Sequence, residues 1–166
     1  MPNRRLVPKD QSLSPDDLGD AVLEQHDCSF EFSKPMDHRN TQWIFVWKHN
    51  PTQKEVSLVE EPSLDIAFVE LPSSLDEIET AVSSRYEIYH APDLLKELDE
   101  KPGDLPNQFE LLALLVLASD ERSTTDAIIR KIAQYLDHEE FDLRYLAYYA
   151  LGYVRHPKLR DIVAKR

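Results

Sequence analysis

The chain is short of the residues that several familiar kinds of site require. It has one cysteine, Cys28, among 166 residues. An intrachain disulfide framework is therefore excluded, as is a zinc site built on paired cysteines. Its three glycines, Gly19, Gly103 and Gly152, are too few and too scattered for a loop that cradles phosphate. No Walker, dinucleotide-binding, nucleophile-elbow or HExxH pattern is present. None of the six histidines lies four residues from another, so no helix turns two imidazoles toward one metal ion. No apolar run reaches bilayer length, and the opening MPNRRLVPKD lacks the apolar centre of a leader peptide. Basic residues are outnumbered 19 to 31, giving a net charge of −12. Such a field repels phosphate, which argues against nucleic acid and anionic membrane as partners. The expectation is a soluble, cytoplasmic protein with no cofactor and no metal. With 42% hydrophobic residues it has enough apolar side chain for a core.

The negative charge is local. Residues 55–104 carry fourteen acids and three bases, whereas residues 105–166 carry nine of each. An acidic face steers a basic partner toward it and penalises wrong ones. The candidate contacts are Glu60, Glu61, Asp65, Glu70, Asp76 and Glu77. The competing reading is a solvated surface that keeps the chain soluble, but the density of this block exceeds what solubility needs.

Residues 1–13 show no periodicity and read as a flexible arm. Ser14 is placed to cap a helix, with Pro15 at its first position and Asp16 and Asp17 opposing the positive end of its dipole. That helix should fade near His26. Phe30 and Phe32 alternate with polar residues, and Thr41–Lys48 (TQWIFVWK) is the strongest strand signal. Trp43, Phe45 and Trp47 would share one face of it, Ile44 and Val46 the other. Asn50 and Pro51 predict a turn, Val56 and Leu58 a returning strand, and Asp65–Leu71 a further strand. Ser73 or Ser74 is expected to cap a helix whose stripe is Leu75, Ile78 and Val82. A short strand is expected across Arg85–Tyr89, then a helix with Leu94, Leu95 and Leu98 inward. The run 101–106 (KPGDLP) is the clearest break, and the subdomain boundary is expected there. The predicted domains are the arm 1–13, an acidic α/β subdomain 14–104 and a helical subdomain 105–166.

Past the break everything reads as helix. Gln108–Ala118 is apolar almost all round. Ile128, Ile129, Ile132, Ala133 and Leu136 form one face, and Leu143, Leu146, Ala147, Ala150, Leu151 and Val154 another. Residues 143–162 (LRYLAYYALGYVRHPKLRDI) carry Leu143-Arg144, Ala147, Ala150-Leu151-Gly152 and the turn His156-Pro157. This pattern resembles a HEAT-type helical repeat, in particular the short class also found in phycobilisome lyases. The likeness covers residues 107–166 at most and is sharpest over 143–162. It implies a HEAT-like pair of α-hairpins, close helix packing at the alanines and Gly152, and a structural role for Arg144 on the connection beside it. Repeat arrays generally need about three units to stand alone, so this pair should lean on the N-terminal part or on a second chain. The expected fold class is α+β: a small, mainly antiparallel sheet with flanking helices, packed on the helical repeat pair.

Three further clusters can be weighed. His26-Asp27-Cys28 holds a nucleophile beside an imidazole, but adjacent residues seldom converge on one reacting atom, and a buried thiol is the simpler reading. Asp37-His38-Arg39-Asn40 reads as a contact loop or an ordinary connection. Tyr145, Tyr149 and Tyr153 recur every four residues with Tyr148 alongside, and tyrosine is a frequent binding anchor. Tyr145 and Tyr149 therefore join the candidate contacts. The leading expectation is a non-catalytic protein-binding module, in its most concrete form an acidic immunity or antitoxin-type inhibitor of a basic toxin. The alternatives are an assembly factor or accessory subunit of a larger complex, with self-association as one form, and a small lyase-like enzyme by analogy with the repeat class.

Overall fold

The computed structural model describes residues 3–35, 43–100, 103–120, 122–154 and 156–165. These form a five-stranded antiparallel sheet and seven α-helices, an α+β fold. The chain divides into two compact units, Met1–Ile88 and Tyr89–Arg166. No helix among the described residues is long and apolar enough to cross a membrane.

The N-terminal unit holds the sheet, in the order β1-β5-β4-β3-β2. Strand β1 is Asn3–Leu6, β2 Cys28–Pro35, β3 Trp43–His49, β4 Lys54–Glu61 and β5 Ile66–Pro72. The first residues are therefore not a loose arm. Residues 3–6 pair with β5, Leu6 opposite Val69, and Leu6, Val7 and Leu13 are buried. The free backbone edge of β5 supplies the order that a four-residue, Arg-rich segment gives no periodic sign of.

Helix α1 (Pro15–Leu18) starts as expected, Ser14 Oγ accepting from the Asp17 amide at 3.1 Å. It runs on as a π-helical stretch, Gly19–Leu23, and a 3-10 turn, Glu24–His26. Gly19 is needed here because the Trp47 indole lies against it. A Cβ on Gly19 would stand 3.3 Å from the Trp47 Nε1. Trp47, Val56, Leu58, Ala67, Val69 and Leu71 form the sheet side of the core. Leu18, Val22 and Leu23 cover them, with Leu75, Ile78 and Val82 of the segment that includes α2 (Asp76–Arg85). Trp47 stands opposite Val56 and Phe45 opposite Leu58, so the predicted sharing of faces along β3 holds. Val46, on the opposite face, is buried as well.

Three local expectations fail in this unit. Phe30 and Phe32, two apart, should share a face, but a bulge between them sets Phe30 opposite Trp47 and Phe32 opposite Val46. Neither Ser73 nor Ser74 caps α2. Leu75 occupies the cap position without a side-chain bond, and Ser74 Oγ instead accepts from the Lys54 ammonium. Across Arg85–Tyr89 only Ile88 is bridged, to Pro8.

The C-terminal unit is helical: α3 (Ala91–Glu100), α4 (Leu105–Ala118), α5 (Asp126–Tyr135), α6 (Phe141–Tyr153) and α7 (Pro157–Ala164). Helix α3 packs on α4 and α5, so it belongs here. The break at 101–106 is thus a turn inside this unit, and the division between units falls at Ile88/Tyr89 rather than at 104/105. Asp104 caps α4 and Thr125 caps α5 through their side chains. Residues 111–118 of α4 are buried on every side, as an apolar perimeter requires. Ala147 and Ala150 are fully buried on α6, which packs on α4 and α5.

Candidate functional site

The acidic candidates do not form one face. Within the N-terminal unit they gather at two places, because turns bring distant carboxylates together. The first is a cleft of about 480 Å³. Asp27 reaches it from the turn before β2, in a left-handed conformation with φ 55°. Asp76 and Glu77 reach it from the first turn of α2, and Gln25, His26, His49, Thr52 and Ser74 are its other polar lining residues. His49 Nδ1 lies 2.7 Å from Thr52 Oγ1, which orients the ring. Asp76 and Glu77 are exposed. None of Asp27, Asp76 and Glu77 forms an ion pair among the described residues.

The second is a cleft of about 240 Å³ at the β4–β5 turn, lined by Glu60, Glu61, Asp65 and Gln11. Glu61 is buried and accepts from the Ser63 hydroxyl. Glu60 is half-buried, and Asp65 is exposed with φ 54°. Gln11 Oε1 accepts from the Ala67 amide at 2.7 Å, pinning the segment after β1 to the cleft wall. Glu70 joins neither cleft. It stands on β5 and accepts from Asn3 Nδ2 at 2.7 Å. Arg4 pairs with Glu79 and Lys9 with Glu87, acids that line neither cleft.

The excess of acid is also a property of this unit. Residues 1–88 carry seventeen acids and eight bases, residues 89–166 fourteen and eleven. The fifty-residue acidic block is thereby divided, Asp93 to Asp104 belonging to the C-terminal unit.

The tyrosines of α6 are arranged along its outer side. Tyr145 is exposed, Tyr149 and Tyr153 are half-buried, and the last two hydroxyls lie 3.0 Å apart. Phe141 extends the row by one turn, stacked on Tyr145 at 6.3 Å. It was legible in the same four-residue spacing, read one turn further back. Arg144 spans the α5–α6 connection, its Nη1 donating to the carbonyls of His138 and Glu139. Gly152 does not mediate close packing. A Cβ there would meet nothing within 4 Å.

Cys28 is buried and its thiol donates weakly to the His26 carbonyl, 3.6 Å away. Burial pushes its pKa up to about 11, and the Asp27 charge adds to the shift. At neutral pH it is a thiol and a poor nucleophile. A raised pKa means that the unfolded chain loses this proton first as pH rises. The thiol's contribution to stability is therefore intact below about pH 9 and is lost on the way to about 11. A thiol reagent at pH 8 should accordingly label native protein far more slowly than urea-unfolded protein. Equal rates would show that the thiol is open to solvent.

The segment Asp37-His38-Arg39-Asn40 lies outside the described residues. Among the described residues no group of three or more His, Cys, Asp or Glu side chains is arranged to hold a metal ion. No family model, no curated protein and no solved structure matches the chain.

Proposed function

We propose that this chain is a non-catalytic protein-binding module whose N-terminal unit receives a basic protein, in the manner of an immunity or antitoxin-type inhibitor covering a toxin in the cytoplasm. One observation carries the reading: carboxylates from separate turns converge on two clefts, and five of them form no ion pair among the described residues. Asp27, Asp76 and Glu77 lie at one and Glu60 and Asp65 at the other. Such carboxylates repel one another in the free protein and gain most when a partner brings lysine or arginine to them. They would occupy the positions that a basic toxin reserves for phosphate. A cytoplasmic setting is in keeping with the buried free thiol of Cys28. The C-terminal unit is read as a HEAT-like scaffold, a reading favoured by the Arg144 bridge across the helix connection.

The test is binding to the basic protein that co-purifies from native lysate. Affinity should fall steeply as salt is raised. The double reversals Asp76→Lys/Glu77→Lys and Glu60→Lys/Asp65→Lys should each weaken binding by at least about tenfold. Recovery of no basic protein, or an affinity indifferent to salt and to both reversals, would sink the proposal.

A second reading, an accessory subunit or assembly factor, is favoured by the exposed aromatic side of α6. A stable complex that survives both reversals and high salt would support it over the first.

A further inference from the structure

The outer side of α6 belongs to the C-terminal unit, and its observations are separate from those at the two clefts. The helix buries Leu143, Leu146, Ala147 and Ala150. At 3.6 residues per turn, Phe141, Tyr145, Tyr148 and Gly152 fall on the opposite side. All four are exposed, the three rings by 66%, 56% and 43%. From Phe141 to Tyr153 the helix has only two charged residues, Asp142 and Arg144. Arg144 is occupied with the connection carbonyls. An uncharged aromatic strip of this kind marks a contact surface. Gly152 is the second observation. A glycine inside a helix costs about 1 kcal/mol relative to alanine. Neither a turn nor a neighbour requires it here. A Cβ at 152 would meet nothing within 4 Å, and among the three glycines only Gly103 has a positive φ.

We propose that this strip is a dimer interface, covered by α6 of a second copy of the chain running antiparallel to it. Spacing selects the occupant. The steps along the strip are four, three and four residues, the spacing of helices packed side by side. The order is the same from either end. A two-fold axis between Tyr145 and Tyr148 therefore sets each position against its counterpart, as a self-complementary interface requires. Tyr145 meets the second copy's Tyr148. Phe141, the most exposed ring, comes to lie over the second copy's Gly152, where the missing side chain leaves it a seat. Charge selects the direction. Residues 137–142 carry four acids and no lysine or arginine, whereas residues 155–166, which follow the other end of α6, carry five bases and one acid. Antiparallel pairing brings the acidic end of each copy to the basic end of the other, and parallel pairing would set like on like. Lys158 is already held by Asp126, but Arg160 and Lys165 are exposed and in no ion pair among the described residues. Area sets the strength. At about 200 Å² per aromatic side chain, the exposed parts of the three rings come to about 650 Å² over two copies. This lies well below the roughly 1,200 Å² at which stable interfaces begin, so the dimer is weak, with a dissociation constant on the order of tens of micromolar.

The experiment is sedimentation equilibrium of the full chain from about 1 µM to about 500 µM, which should follow a monomer–dimer equilibrium. Gly152→Leu should leave the helical circular dichroism and thermal midpoint of the monomer unchanged or raised, because its side chain enters open space. It should nevertheless weaken dimerisation by about tenfold or more, because it fills the seat of Phe141. Tyr145→Ala should weaken dimerisation by about the same factor, as loss of an aromatic anchor does. Direction is read by mild oxidation of Phe141→Cys and Gly152→Cys, each alone and mixed. The mixture should give a disulfide-linked dimer and neither variant alone should, since antiparallel copies hold their two 141 positions about 16 Å apart along the helix. Cys28 is buried and stays out of the reaction. The proposal is overturned if the chain is monomeric throughout, if Gly152→Leu dimerises as well as the parent or better, or if either cysteine variant alone crosslinks as readily as the mixture. Reversing the carboxylates of the two N-terminal clefts should leave dimerisation unchanged, so this proposal and the basic-partner reading fail separately.

Discussion

Trp47→Ala should destabilise the N-terminal unit by about 3–5 kcal/mol, the range for removing a large aromatic from a core. Trp47 is 3% exposed, stands opposite Val56 on the neighbouring strand and meets Phe30 edge-on at 5.5 Å. Its indole also fills the space left by Gly19 at the start of the π-helical stretch. Strand, helix and edge strand thus lean on one side chain. The cavity cannot close by collapse of the helix alone, since Leu18, Val22 and Leu23 are already buried beside it. Urea unfolding followed by far-ultraviolet circular dichroism measures the loss without depending on the deleted fluorophore. A loss below about 1 kcal/mol would show that neighbouring side chains refill the site.

Arg144→Met should cost about 1.5–3 kcal/mol, the range for hydrogen bonds made by a charged group. The guanidinium serves two carbonyls of the α5–α6 connection, His138 and Glu139, and Met keeps the aliphatic stem while removing both bonds. Lysine at this position should recover less than half of the loss. The lysine chain is one atom shorter than the arginine path to Nη1, the single nitrogen that serves both carbonyls. Thermal unfolding gives the magnitude. Hydrogen exchange of the amides from 137 to 144 gives the location, since they should exchange faster while those of α4 stay protected. Unchanged exchange in that segment would show that Arg144 is a surface residue with no bracing role.

The two units differ in what a basic partner would find. The N-terminal one gathers acid at turns, where Asp27, Glu60, Asp65, Asp76 and Glu77 form no ion pair among the described residues. The C-terminal one neutralises several of its charges internally, as between Lys131 and Asp99 at 2.7 Å and between Lys158 and Asp126 at 2.7 Å. The Lys158 ammonium holds the Asp126 carboxyl below its ordinary pKa, first by hydrogen bonding and then by charge. Both groups are more than half exposed, so the pair adds little to stability. Its effect is to remove Asp126 from the carboxylates open to a partner.

Periodicity alone determined most of the elements. The β3 strand declared its two faces through alternating aromatic and aliphatic residues, α1 its start through Ser14 and Pro15, and α6 its buried side through Leu143, Leu146, Ala147 and Ala150. These are short-range consequences of backbone geometry, and they survive whatever surrounds them. Tertiary structure decided the rest. It drew residues 3–6 into the sheet, because an unpaired strand edge orders a segment that has no pattern of its own. It moved the division between units to Ile88/Tyr89, because α3 packs on α4 and α5. It also split one run of acidic residues into two clefts, with Glu70 left at neither and Asp27 added from forty-odd residues away, because turns set which carboxylates meet and no spacing along the chain encodes that.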